Sequence, residues 1–150
     1  MKKTHTQLKD KFSRYLRDIR ISVTDRCNYR CPYCMPEEIY GEKYSFLNRK
    51  EILNFEEILR LLRIFVQFGV DKVRITGGEP LVRQDIDKLV AGIREINDEL
   101  DIALTTNGYL LKQKALKLKQ AGLSRITVSL DSIDEFTYTK MNGGKYGPAK

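Results

Sequence analysis

Residues 19–36 read IRISVTDRCNYRCPYCMP and join an alternating apolar run to a compact group of cysteines. The alternation over Ile19 to Val23 predicts a β-strand. The loop after it places Cys27, Cys31 and Cys34 in C-x3-C-x2-C spacing. In parallel α/β proteins the active groups lie in the loops that follow the strands, so this loop is the first candidate site.

Alternating strand and helix patterns continue through the rest of the chain. Further strands are predicted at Val73 to Thr76, Ile102 to Thr105 and Ile126 to Leu130. The order β-α-β-α-β-α-β predicts an α/β fold with a parallel sheet and crossover helices. The apolar residues at helical spacing are Phe55, Ile58, Leu59, Leu62 and Phe65, then Ile86, Leu89, Val90, Ile93 and Ile96, then Leu111, Ala115, Leu118 and Ala121, with Gly122 as the cap.

The strands themselves alternate, whereas parallel strands covered on both faces usually read as continuous apolar runs. This predicts a curved sheet with helices on its apolar convex face and a polar concave face that lines a ligand cavity. An antiparallel sheet with one wet face is the alternative, although connections of roughly two dozen residues favour crossovers. The polar phase comprises Arg20, Ser22 and Thr24, then Arg74 and Thr76, then Ala103 and Thr105, then Thr127, Ser129 and Asp131.

Composition indicates one domain of ordinary globular type. The 150 residues include 27 Lys or Arg and 20 Asp or Glu, giving a formal charge of +7. That charge favours anionic partners, either nucleotide phosphates or nucleic acid. The N-terminus shows no hydrophobic segment, so we expect neither a secretory signal nor a membrane span, and a cytoplasmic location. Residues 141–150 are expected to form a loop.

Three cysteines are an odd number and do not make a disulfide framework. Three thiolates on one loop can ligate three irons of a cubane cluster and leave the fourth iron open to another ligand. Zinc is the alternative, but structural zinc normally takes four ligands, and the single histidine, His5, lies outside the loop. His5 is expected to be a solvated terminal residue.

The cysteine loop resembles that of the radical S-adenosylmethionine (SAM) enzymes. Four sequence segments also resemble those of the GTP 3',8-cyclase family, which acts first in molybdenum cofactor (molybdopterin) biosynthesis. They are SVTDRCNYRCPYCMP, VRITGGEPLVRQD, TTNG and ITVSLDS. This resemblance covers residues 18–150, after an N-terminal extension at 1–17. It implies a partial (β/α) TIM-like barrel of the radical SAM type, of which about four βα units are present.

The resemblance also implies the site residues. One 4Fe-4S cluster would be held by the three cysteines, SAM would contact Tyr33, Gly78, Glu79 and Ser129, and GTP would contact Arg20, Arg74 and Thr105. The residues themselves favour ligands there: glycines at 77 and 78 permit close backbone approach, and a guanidinium in a concave sheet face is costly unless an anion meets it. Gly143-Gly144-Lys145 lacks P-loop spacing and is expected to be a flexible loop.

The implied activity is that of a lyase. Reductive cleavage of SAM gives a 5'-deoxyadenosyl radical that takes hydrogen from the GTP ribose, and closure onto guanine carbon eight gives 3',8-cyclo-7,8-dihydro-GTP. The implied partners are GTP, an electron donor of flavodoxin or ferredoxin type and a second copy in a homodimer, without membrane or nucleic acid. Family members are about twice as long and carry a second cluster, so we expect an N-terminal portion that cannot complete the cyclisation alone. A radical SAM reaction on another substrate and a zinc-binding nucleic-acid module are the alternatives.

Overall fold

The structure, a computed structural model, describes residues 7–144 and contains one four-stranded sheet with order β1-β2-β3-β4. All three strand pairings are parallel, so the antiparallel alternative is wrong and the crossover prediction is confirmed. His5 and Lys145 lie outside the described residues. The strands are β1 (Asp18–Ser22), β2 (Lys72–Thr76), β3 (Asp101–Thr106) and β4 (Arg125–Val128), and the helices are α1 (Glu37–Tyr40), α2 (Phe55–Gln67), α3 (Ile86–Ile96), α4 (Leu111–Gln120) and α5 (Glu135–Met141), with a 3-10 turn at Pro80–Val82.

Local sequence signals fix the ends of the longer helices. Asn54 precedes α2, and its side-chain oxygen accepts a hydrogen bond from the Glu57 amide. The Asn54 amide in turn donates to the Glu57 carboxylate, which completes a capping box. At the other end of a helix, Gly122 follows α4 with φ +92°, and the Leu123 amide donates to the Leu118 carbonyl. This Schellman ending confirms Gly122 as the residue that closes the third predicted helix.

The hydrophobic core lies on one face of the sheet, between the apolar phase of the strands and helices α2, α3 and α4. The opposite phase of β1 and β2 is exposed or half-buried, as the alternation predicted. Among the described residues, no helix covers the polar face of these two strands, which is left open. The buried core side chains of the strands and helices are Val73, Ile75, Ile102, Leu104, Ile58, Leu62, Val66, Ile86, Leu89, Val90, Ile93 and Leu118.

Two features of the last quarter were not predicted. All four residues of β4 are exposed, including Ile126 and Val128 of the apolar phase. The second feature is α5, which Asp134 caps through the Thr137 amide and which ends at Met141, inside the stretch expected to be loop. The buried residue of α5, Tyr138, packs towards the cysteine loop, so this helix does not cover β4. No helix within residues 7–144 has the length and apolar character needed to cross a membrane.

Candidate functional site

The cysteine loop begins where β1 leaves the sheet. The Val23 amide still donates to Thr76 in β2, and the Thr24 hydroxyl then accepts the Arg26 amide and turns the chain outward. A second turn follows, in which the amides of Cys34 and Met35 both donate to the Cys31 carbonyl. The two turns gather the three thiols at the carboxyl edge of the sheet, as the sequence predicted.

The three thiols are free and lie within electrostatic reach of one another. Cys27 and Cys31 are half-buried, whereas Cys34 is exposed. Burial raises the pKa of Cys27 and of Cys31, and the charges of neighbouring thiolates raise both further. A cationic metal centre would compensate for this gathering of negative charge.

A cubane cluster fits this donor set. In a cubane each thiolate binds its own iron, so the three free thiols of the loop can hold three irons and leave the fourth open. Structural zinc normally takes four ligands on one ion. Within residues 7–144, no three His, Cys, Asp or Glu side chains are grouped so that they could hold one metal ion.

Gly77 and Gly78 lie against the cysteine loop. A Cβ at Gly77 would come 2.5 Å from the Thr24 carbonyl oxygen, and one at Gly78 would come 2.6 Å from the Arg26 carbonyl carbon. Gly77 also has φ +151°, which side chains rarely adopt. Close backbone approach was predicted here, but the observed neighbour of both glycines is the protein's own loop. Gly78 is exposed on its other side, so its contact with SAM stays a prediction.

Glu79 has a different environment from the one expected for a ligand-binding carboxylate. It is only 1% exposed. One carboxylate oxygen accepts the Leu81 amide at 2.9 Å and the Thr106 hydroxyl at 2.7 Å, and the other accepts the Asn107 amide at 2.7 Å. These bonds tie the loop after β2 to the end of β3. The contact of Glu79 with SAM stays a prediction, whereas its structural hydrogen bonds are observed.

The other two residues expected to contact SAM meet at the same edge. Ser129 follows β4, is exposed, and its amide donates to the Thr106 carbonyl. The Tyr33 hydroxyl donates to both oxygens of Asp131 at 3.0 Å, which links the cysteine loop to the end of β4. Asp131 was placed on the polar phase by the sequence but was not predicted as a site residue.

The three residues expected to contact GTP lie on the polar face of the sheet. Arg20 pairs with Arg74, which pairs with Ala103, which pairs with Arg125, so the register puts three arginines in one row. Thr105 lies one row nearer the cysteine loop. Its hydroxyl is buried and has no hydrogen-bond partner among the described residues, and its contact with GTP stays a prediction. Arg125 was missed, although it shares the phase of Thr127, and it is paired with Asp101 at 2.6 Å.

Arg30 supports the cysteine loop and was also missed. Its guanidinium donates to the carbonyls of Cys27, Tyr29 and Tyr40, each at 2.8 Å. Five guanidinium hydrogens in a rigid fork suit it to bind several carbonyls at once. Nothing in the spacing of the loop distinguishes this arginine from Arg26, so the sequence carried no signal for the role.

Helix α5 returns to the cysteine loop from the far edge of the sheet. The hydroxyls of Tyr29 and Tyr138 are 2.6 Å apart and both residues are buried. The Arg30 amide donates to the Asn142 carbonyl, and a Cβ at Gly143 would come 2.5 Å from the Arg30 carbonyl oxygen. Gly143 is therefore packed against the cysteine loop, whereas a Cβ at Gly144 would meet nothing of the described chain within 4 Å. The flexible loop expected here does not include Gly143.

The parallel fold, the cysteine loop and the glycine loop together define a class of enzyme. The family model of the radical SAM superfamily matches residues 21–150, and the chain belongs to that superfamily. Curated relatives named GTP 3',8-cyclase, from Staphylococcus aureus strains JH9 and Newman, are 52% identical over 136 residues, which is 91% of this chain. The chain spans 40% of the length of these relatives.

Solved structures show the same fold at low sequence identity. Streptococcus suis SuiB bound to S-adenosylmethionine is 22% identical with a TM-score of 0.67, over 85% of this chain and 28% of SuiB. BtrN in complex with AdoMet and 2-DOIA is 20% identical with a TM-score of 0.57, over 74% of this chain and 44% of BtrN. Both cover only part of the longer protein, in agreement with a partial barrel here.

Proposed function

We propose that this chain is the cluster-binding and SAM-binding part of a GTP 3',8-cyclase, a radical SAM lyase that makes 3',8-cyclo-7,8-dihydro-GTP in molybdenum cofactor biosynthesis. The observation that carries the proposal is the gathering of Cys27, Cys31 and Cys34 at the carboxyl edge of the sheet, with the Gly77-Gly78 loop packed against the backbone at the start of the cysteine loop. The similarity to the S. aureus relatives supports the choice of substrate.

The three cysteines would hold one 4Fe-4S cluster through their thiolates. When bound, the cluster supplies the electron for reductive cleavage of SAM, and with three protein thiolates it keeps one iron available to that cofactor. The protein's own part is to hold the loop. Arg30 fixes its carbonyls, and the glycine loop lies close enough to place a bound cofactor beside the thiols.

SAM would lie along the edge formed by Tyr33, Gly78 and Ser129, with Glu79 behind them. Gly78 and Ser129 are exposed there, and Tyr33 is held over the edge by Asp131. GTP would lie on the polar face, where Arg20 and Arg74 are neighbours across β1 and β2 and supply positive charge for the phosphates. The Thr105 hydroxyl, which has no partner within residues 7–144, would face the same ligand.

The proposal extends to the surroundings of the protein. A flavodoxin or ferredoxin type of donor would reduce the cluster, the protein would act as a homodimer, and a reducing compartment such as the cytoplasm would keep the thiols available. The remaining barrel strands and the second cluster of the family would come from the part of the relatives that this chain does not span, so the cyclisation is assigned to the whole protein.

Anaerobic reconstitution with iron and sulfide tests the proposal. The expected result is a brown protein with about four irons per chain that cleaves SAM when reduced. Serine at any one of Cys27, Cys31 or Cys34 should abolish the cluster, and Met35→Leu in the same turn, as matched control, should retain it. A colourless protein that takes up one zinc and binds nucleic acid in a salt-sensitive manner would contradict the proposal.

Substrate choice needs a separate measurement. Equilibrium dialysis should show that the chain retains GTP more than ATP, and that Arg20→Ala and Arg74→Ala weaken retention by about tenfold or more, since each removes a charge-assisted hydrogen bond. Arg17→Ala is the control, because Arg17 is exposed and paired with Asp71 at the start of the sheet. Equal retention of both nucleotides, with SAM cleavage intact, would favour a radical SAM enzyme with another substrate.

A further inference from the structure

Asn107, directly after β3, connects the buried Glu79 to the cysteine loop. Its amide donates to Glu79 at 2.7 Å, and its side-chain oxygen accepts the Tyr109 amide at 3.1 Å. The first bond fixes the backbone of Asn107 and the second fixes its side-chain oxygen. The side-chain NH2 group is thereby directed towards the loop.

Two hydrogens on that NH2 group find two acceptors. Nδ2 is 2.9 Å from the Asn28 side-chain oxygen and 3.9 Å from the Cys27 sulfur. A flipped amide would place its oxygen against the Asn28 oxygen and its nitrogen against the Tyr109 amide, so the observed orientation is the one that suits these two neighbours. The Cys27 sulfur also accepts the Tyr29 amide at 3.4 Å, and it therefore receives two N–H donors.

Resting on the proposed function, in which Cys27 ligates the cluster, we propose that Asn107 is a positioning residue that orients Cys27 and raises the reduction potential of the cluster by donating N–H to its ligating sulfur. Reduction adds one negative charge to the cluster and its sulfurs. An N–H dipole aimed at a ligating sulfur stabilises that added charge, so the reduced form is favoured.

The position of Asn107 also couples the two loops. Its backbone amide donates to Glu79 and its side chain donates to Cys27. The loop after β2 and the cysteine loop are therefore both hydrogen-bonded to this one residue. A neutral donor suits this position, because a carboxylate at 107 would face the Asn28 side-chain oxygen and the Cys27 thiolate. The amide is therefore the side chain of this size that supplies hydrogens without adding charge.

Redox titration of the reconstituted chain, followed by electron paramagnetic resonance, tests the assignment. Asn107→Leu keeps size and neutrality but donates nothing, and Asn107→Ser keeps an acceptor for the Tyr109 amide while falling short of the sulfur. At a fixed solution potential the ratio of reduced to oxidised cluster should fall about threefold to tenfold in both. For one electron this is about 30–60 mV, at 59 mV per decade.

Thr106→Val is the matched control. It removes a neighbouring hydrogen bond to Glu79 and the acceptor of the Gly108 amide, but no donor to Cys27, and the potential should stay at the parental value. Loss of iron to a chelator should be faster in the Asn107 variants than in this control. An unshifted potential in Asn107→Ser, or an equal shift in Thr106→Val, would overturn the inference while the proposed function stands. Absence of any cluster in the unsubstituted chain would instead overturn the proposed function.

Discussion

Replacement of Gly78 by alanine should break the backbone hydrogen bonds that join the glycine loop to the cysteine loop. The added methyl would lie 2.6 Å from the Arg26 carbonyl carbon and 3.1 Å from the Cys27 amide nitrogen, where ordinary contacts begin at 3.4 Å. Both neighbours are backbone, so the loop must retreat by about 0.8 Å. That retreat breaks the bonds from the Gly78 amide to Thr24 and from the Glu79 amide to Arg26, now 2.8 and 2.9 Å. Overpacking and two lost hydrogen bonds together cost about 2–6 kcal/mol.

Urea unfolding and iron content measure the effect. Gly92→Ala in α3 is the matched control, because its new methyl would meet only the end of the Leu59 side chain, which can turn away, and alanine favours a helix by about 1 kcal/mol. We expect the control to unfold within about 1 kcal/mol of the parent and to bind full iron. A Gly78→Ala chain with parental stability and parental iron content would refute the steric argument.

Three further predictions concern the same region. Glu79→Gln should lower the free energy of unfolding by about 1–3 kcal/mol, since an NH2 group would face one of its donors; an unchanged urea midpoint would contradict this. Tyr138→Phe should cost about 1 kcal/mol and speed hydrogen exchange in α5, because the hydroxyl pair with Tyr29 is lost; unchanged exchange would count against the observed docking. Burial raises the pKa of Cys27 and Cys31, so in the metal-free folded chain their thiol forms are favoured, and the stability that this contributes is lost as the pH rises through the raised values. The rate of their alkylation, followed by mass spectrometry, should therefore still rise with pH where the alkylation rate of the unfolded chain has reached its plateau. Coincident pH profiles for the folded and unfolded chains would refute this.

The alternation of strands and helices was predictable because it depends on periodicity along the chain. Apolar residues at helical spacing gave α2, α3 and α4, and two-residue alternation gave the strands and their polar face. The short helices α1 and α5 were not predicted, since four and seven residues carry too few periodic positions to register. Helix α5 is held by its Asp134 cap and by Tyr138, which packs on residues more than one hundred positions earlier.

Within the site, the sequence predicted where the three thiols lie. Spacing alone brought Cys27, Cys31 and Cys34 onto one loop, and parallel topology required that loop, the glycine loop and the end of β3 to meet at one edge. Only the tertiary structure decided how the groups at that edge divide their roles: Glu79 is consumed by protein donors, whereas Thr105 retains a hydroxyl without a partner in the described part of the chain. The physical reason is that spacing fixes which strand end a residue occupies, while hydrogen-bond partners come from segments 27 to 109 positions away. Such partners are set by packing, which no local pattern records.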